Sequence, residues 1–188
     1  RVTGVKCTDG TELEADAVIV GVGILPTTEL AEAAGLECDN GIVVDDHCRT
    51  SDPDIYAIGD CSNHPSELLG RRLRLESVPN AMDQARVVAK NLTGGDASYN
   101  AVPWFWSDQY DLKLQMVGYS AEADEQVVRG DPDTGSFARF YFRDGVVIAV
   151  DAVNRPKEFM VSKQLVANRV RVDAGRLADE SVDVKELI

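Results

Sequence analysis

The run Ala17-Val18-Ile19-Val20-Gly21-Val22-Gly23 is apolar without alternation. A strand with one wet face alternates, whereas a strand covered on both faces reads as an unbroken apolar stretch. The run therefore predicts a central strand of a parallel sheet covered by helices, and so an α/β fold. It closes on Gly-x-Gly followed by Ile24-Leu25-Pro26. Two readings of Gly21 and Gly23 stay open. They serve the exit turn of the strand, or they let a flat ligand lie against bare backbone. A full dinucleotide fingerprint would carry a third glycine where Pro26 stands, and the chain has no Gly-x-Gly-x-x-Gly.

A second stretch, Thr50-Ser51-Asp52-Pro53-Asp54-Ile55-Tyr56-Ala57-Ile58-Gly59-Asp60, runs from a polar turn into a short apolar strand. Gly59 allows another molecule close to the backbone. Asp60 puts a carboxylate at the open end of that strand, where ligands of open α/β sheets sit. There it can accept hydrogen bonds from the hydroxyls of a sugar or sugar alcohol. A plain Gly-Asp turn is the competing reading.

The segments around these two carry ordinary signals. Asp9-Gly10 between β-prone runs predicts a hairpin. Thr28 is placed to cap a short helix over 29–34 that Gly35 stops. Asp39-Asn40-Gly41 turns into Ile42-Val43-Val44, and residues 62–74 read as polar and irregular, with cations at Arg71, Arg72 and Arg74. Residues 81–92 repeat apolar positions at three and four, which predicts an amphipathic helix. Val78 and Pro79 precede it. Backbone N–H groups at that helix start favour negative charge, although a plain Pro-started helix fits as well. Residues 96–100 read as a linker. Trp104 and Trp106 then open a region of β-prone runs at 112–117, 126–129, 137–142 and 146–153, separated by tight turns. That pattern predicts an antiparallel sheet. A helix over 156–168 and a polar tail follow, so the second part is α+β, with a boundary near 98–102.

Charge and cysteine usage exclude several functions. A net charge of -13 repels nucleic acids and anionic membranes. No apolar run approaches the about 20 residues of a membrane span. The first residues carry no signal-peptide pattern and read like the middle of a domain. Cys7, Cys38, Cys48 and Cys61 form no Cys-x-x-Cys pair, which argues against an adjacent-cysteine redox dithiol and fits a reducing cytoplasm. His47-Cys48 and Cys61-x-x-His64 have some ligand character, but metal-site spacing is absent, and no metal is expected.

Residues 50–60 resemble the second flavin-binding motif of flavoproteins with two dinucleotide-binding domains. Gly21-x-Gly23-x-x-Pro26 resembles the segment where such chains leave the NAD domain and re-enter the FAD domain. Three narrower motifs select a family: Glu76-Ser77-Val78-Pro79-Asn80-Ala81, Pro103-Trp104-Phe105-Trp106-Ser107-Asp108-Gln109 and Val150-Asp151-Ala152-Val153-Asn154-Arg155-Pro156. Together they resemble NADH-dependent ferredoxin reductases of the putidaredoxin reductase and biphenyl-dioxygenase reductase type. Only the C-terminal half of that family is matched. The first flavin fingerprint and the NAD fingerprint are not in the chain.

The resemblance implies FAD and NADH as cofactors and a ferredoxin or rubredoxin as electron acceptor for an oxygenase system. Residues 1–24 would end the NAD domain, 25–100 would be the second segment of the FAD domain, and 101–188 the C-terminal reductase domain. Asp60, beside Gly59, would bind the flavin ribitol. Val78 and Pro79 would face the flavin pyrimidine, Trp106 would lie near the flavin and the docking surface, and Glu76 near the nicotinamide. Trp104 reads as a core residue. Arg71, Arg72, Arg74 and Arg86 are the favoured docking cations, with Lys90, Lys157 and Lys163 also available, because acidic ferredoxins call for a locally basic surface. The cofactors carry the chemistry, so no catalytic triad is expected. The other reading is a non-catalytic interaction or dimerisation fragment without bound flavin, which leaves a homodimer open.

Overall fold

A computed structural model describes residues 1–187. The predicted hairpin forms: β1 (Gly4–Lys6) pairs antiparallel with β2 (Glu12–Glu14). The apolar run that follows does not form a strand, which corrects the first expectation. Residues 17–27 hold no regular element, Ile19 is 97% exposed and Leu25 92%. A central strand needs a ladder along each edge, and among the described residues β1 and β2 pair only with each other.

Helix α1 (Glu29–Ala33) ends where Gly35 takes φ +78°. Thr28 does not cap it through a backbone bond; its hydroxyl donates to Glu32 Oε1 at 2.7 Å. Asn40 and Gly41, both at positive φ, turn the chain into β3 (Ile42–Val43). The apolar residues 55–58 are extended but joined only through an Arg49–Tyr56 bridge, so the predicted strand there is not a ladder strand. Residues 62–74 are not irregular. They form β4 (Ser62–Ser66) and β5 (Arg71–Arg74), an antiparallel pair whose first strand runs parallel to β3. The polar side chains misled the reading, because Ser62, Asn63, His64 and Ser66 are buried there.

Helix α2 (Val78–Leu92) starts three residues earlier than its apolar pattern, with Pro79 in its first turn and Ser77 as its cap. Residues 96–100 are pinned rather than free. Tyr99 is buried, its Oη donates to Asn80 Oδ1 at 2.9 Å, and its ring meets His64 edge-on at 4.9 Å.

The second half is a five-stranded antiparallel sheet in the order β6 (Trp104–Gln109), β7 (Leu112–Gly118), β10 (Val146–Val153), β9 (Ser136–Arg143), β8 (Glu125–Asp131). The tryptophan motif is therefore an edge strand. Its register continues Trp104, Val117, Val150 and Phe140 across one face. Helix α3 (Pro156–Ala167) covers that face with Phe159, Leu165 and Val166. The expected polar tail instead folds back: α4 (Ala174–Ala178) and a 3₁₀ turn over Val184–Leu187 bring Leu177, Val184 and Leu187 into the same core.

Two buried or half-buried arginines stitch this half together. Arg129 donates to the carbonyls of Leu177, Asp179 and Val182 at 2.7–3.1 Å and faces Glu158. Arg155 bonds Ser136 and Glu180, while Asn154 Nδ2 donates to the carbonyls of Gly135 and Asp111. The Asn154-Arg155-Pro156 motif thus ties two turns of the sheet to the start of α3. Among the described residues no helix is long and apolar enough to cross a membrane.

Candidate functional site

The candidate site is built where residues 59–61 tighten into a 3₁₀ turn against α2. Gly59 has φ +76°, a backbone region that side-chain-bearing residues rarely adopt. Its N–H donates to Gln84 Oε1 at 2.7 Å, and Ser62 Oγ lies 2.9 Å from both Gln84 Oε1 and the Gly59 carbonyl. A Cβ at Gly59 would sit 3.5 Å from Ala81 Cβ, so turn and helix are in close contact. Arg74 holds the other side. Its Nη1 donates to the Asp60 carbonyl at 3.0 Å and to the Glu76 carboxylate at 2.8 Å. The backbone of Asp60 is thus fixed while its side chain is exposed. Among the described residues the Asp60 carboxylate has no hydrogen-bond or ion-pair partner.

The first turn of α2 leaves one backbone donor open. Ser77 Oγ accepts from the Asn80 N–H at 3.3 Å, the Ala81 N–H reaches the Ser77 carbonyl at 3.1 Å, and Pro79 has no N–H. Val78, half exposed, has an N–H without an acceptor among the described residues, at the positive end of the helix. Ala81, which touches the Gly59 turn, lies one turn further along the same face. Pro79 is buried, so its part is to shape the helix start. Gln84 is wholly buried and its Nε2 has no hydrogen-bond partner among the described residues. Such orphans are rare in native cores and mark places where a ligand or water completes the site.

Helix α2 also touches β6, where Trp104 and Trp106 stack at 5.5 Å and 29°. Trp104 packs on the sheet core and tilts against Phe159, as a core residue should. Lys163 of α3 lies 3.8 Å above its ring, and burial there lowers the ammonium's pKa against an opposing pull from Asp83.

The predicted docking cations separate into two kinds. Arg72 is spent inside, bonding the carbonyls of Val44 and Asn63. Arg74 is spent on Asp60 and Glu76, which also gives Glu76 a structural partner. Arg71 is exposed and stacks over Tyr119 at 4.4 Å. Arg86 is exposed beside Asp83 at 2.5 Å. Gly21 and Gly23 make no contact with this cluster, since among the described residues nothing beyond their chain neighbours lies within 4 Å of a Cβ built on either.

Sequence reasoning missed Gln84 and Ser62. The available signal was a glutamine inside the apolar stripe of α2, at helical spacing from Ala81 and Val88.

An exposed, unpaired carboxylate and an open helix N–H suit a ligand with hydroxyls on one part and negative charge on another. The buried orphan amide beside them fits a site completed by such a ligand. The FAD expected from the sequence has both features, and the residues present fit it.

Comparison with known proteins agrees. Residues 1–85 match the family model "Pyridine nucleotide-disulphide oxidoreductase" and residues 104–188 match "Reductase C-terminal". The chain is 53% identical over its whole length to a 5,5'-dehydrodivanillate O-demethylase ferredoxin reductase subunit of Sphingobium sp., covering 46% of that protein. It is 52% identical to putidaredoxin reductase CamA of Pseudomonas putida, over all of this chain and 44% of the relative. Among solved structures it matches the reductase in a covalent putidaredoxin reductase–putidaredoxin complex with a TM-score of 0.91 and 51% identity, over 98% of this chain and 44% of that one. It also matches the ferredoxin reductase for the CYP199A2 system of Rhodopseudomonas palustris with a TM-score of 0.92 and 46% identity, over 99% and 46% of the two chains. The chain spans about half the length of the relatives it matches. It belongs to the ferredoxin reductases of the putidaredoxin reductase type and corresponds to their C-terminal half.

Proposed function

We propose that this chain is the C-terminal half of an FAD-dependent, cytoplasmic NADH:ferredoxin reductase that serves an oxygenase system through a small iron–sulfur ferredoxin or rubredoxin. Residues 1–24 would end the NAD-binding domain, 25–100 form the second segment of the FAD-binding domain, and 101–188 form the C-terminal reductase domain. The observation that carries this reading is the Gly59–Asp60 turn, whose backbone is held by Gln84 and Arg74 while its carboxylate is left free. The names of the relatives point the same way. So does the bare apolar segment at 17–25, which needs cover from elsewhere.

FAD held by these residues would supply the redox chemistry that links a two-electron nicotinamide donor to a one-electron iron–sulfur acceptor. The protein's share is binding and tuning. Asp60 accepts hydrogen bonds from the ribityl hydroxyls. The Val78 N–H, at the positive end of α2, stabilises negative charge on the flavin pyrimidine. The Trp104–Trp106 stack and the Lys163 ammonium form the aromatic and cationic wall beside α2. Arg86 and Arg71 are the exposed guanidiniums that can steer an acidic partner.

The test is to express this chain joined to the upstream half of its own coding sequence. The product is expected to be yellow, to be bleached by NADH, and to reduce a ferredoxin. A folded product with no flavin would sink the reading and leave the interaction-fragment alternative.

A further inference from the structure

Two parts of the proposed flavin site lie on different elements. The Asp60 carboxylate is on a loop, and the Val78 N–H is at the head of a helix. Gln84 joins them. It extends from α2 on the face of Ala81, is wholly buried, and spends its amide oxygen on the Gly59 N–H at 2.7 Å and on Ser62 Oγ at 2.9 Å. Gly59 has no other acceptor in place of that bond among the described residues. The positive φ of Gly59 aims Asp60 outward, and a buried N–H without an acceptor would be costly there. Arg74 fixes the far side of the same turn through the Asp60 carbonyl but makes no bond to α2. The side-chain tie between loop and helix therefore runs through Gln84. Its Nε2, buried and without a hydrogen-bond partner among the described residues, leaves that tie with a donor that a bound ligand or water would satisfy.

We propose that Gln84 is the positioning residue of the flavin site: it locks the Gly59–Asp60 turn to α2, so that the ribityl-binding carboxylate and the charge-stabilising Val78 N–H move as one unit. This rests on the flavin reading above. It predicts that loosening the tie alters both how long FAD stays and how strongly the site favours the reduced flavin. A residue that served folding alone would change thermal stability and leave the potential where it was.

The experiment compares Gln84→Met, which keeps volume and removes the acceptor, with Gln84→Glu, which keeps an acceptor oxygen, in the full-length flavoprotein. Gln84→Met is expected to release FAD at least tenfold faster and to lower the flavin midpoint potential, while Gln84→Glu recovers most of the retention. Wild-type release and potential in Gln84→Met overturn the proposal, as does a lower melting temperature of the apoprotein with an unchanged potential. If Gln84→Met does not fold, Ser62→Ala removes the hydroxyl that steadies the amide. It should shift both readouts in the same direction by a smaller factor, and no shift in either overturns the proposal. Asp60→Ala separates this outcome from the flavin reading. If the parent binds FAD and Asp60→Ala loses it while Gln84→Met behaves as wild type, Gln84 has no positioning role and the flavin site stands. If the parent binds no FAD, both fall.

Discussion

The Arg129 guanidinium lies 3.3 Å from the Glu158 carboxylate, and both side chains are buried. The same guanidinium satisfies three carbonyls between Leu177 of α4 and Val182, so removing it unpairs backbone acceptors and leaves the buried Glu158 carboxylate with Arg155 alone, at 3.4 Å. Arg129→Met is expected to cost about 3–5 kcal/mol of stability. Urea unfolding followed by circular dichroism measures it, and a loss below about 1 kcal/mol, the scale of an exposed pair, would contradict the buried geometry.

Asp60→Ala in the full-length protein should weaken FAD binding about tenfold to a hundredfold, the worth of one or two hydrogen bonds to a charged acceptor. The carboxylate has no structural partner among the described residues, so the fold should survive the change. Flavin fluorescence on dilution reads the affinity, and wild-type retention would remove Asp60 from the site.

Arg86→Glu reverses an exposed charge without touching the core. Electron transfer to the iron–sulfur partner should slow by about tenfold at low salt, with the difference shrinking as ionic strength rises. Flavin reduction by NADH should be unchanged. Stopped-flow traces of the two steps decide, and equal loss in both would place Arg86 off the docking surface.

The buried Cys48 thiol is pushed up to about 12, first by burial and then by Asp45 and Asp46. In the unfolded chain it ionises near 9.0, so the folded state keeps a proton that the unfolded state releases. Its contribution is complete below about pH 9 and is lost as pH rises toward 12, reaching about 2 kcal/mol by roughly pH 10.5. Urea midpoints at about pH 8 and about pH 10.5 should show a larger drop for the parent than for Cys48→Ala. Equal drops would refute the buried-thiol contribution.

Residues 1–188 expressed alone should be colourless and inactive, because the glycine-rich fingerprints for flavin phosphates and for NAD are not in this stretch. A preparation that retains FAD and passes electrons from NADH to a dye would overturn that expectation.

The antiparallel half was legible because its strands are tightly punctuated: Arg143-Asp144-Gly145 and Gly130-Asp131-Pro132-Asp133 force turns that only hairpin partners satisfy. The β4–β5 pair was not, because Ser, Asn and His look like loop residues until Arg72 and the strand register account for their burial. The tail was misread for a related reason. Its acids and glycine suggested solvent, while the few apolar residues that dock, Leu177, Val184 and Leu187, are too widely spaced to show a period. In the candidate site, Asp60 and Val78 were readable from motif and helix start. Gln84 needed the fold, since its partner lies 25 positions earlier in the chain. The run at 17–23 was misread because its composition reports a buried strand, whereas pairing depends on neighbours that composition cannot supply.

The three carbonyls that Arg129 gathers all come after residue 176, and the core it borders includes Leu187. During synthesis the strand carrying Arg129 leaves the ribosome long before those partners exist. Its guanidinium must stay in water, and the sheet must stay unsealed on that side, until residue 187 has cleared the exit tunnel. This half of the molecule therefore cannot seal its core before residues 177–187 are in place. A stalled or prematurely ended chain would present an open hydrophobic edge to the cell's chaperones.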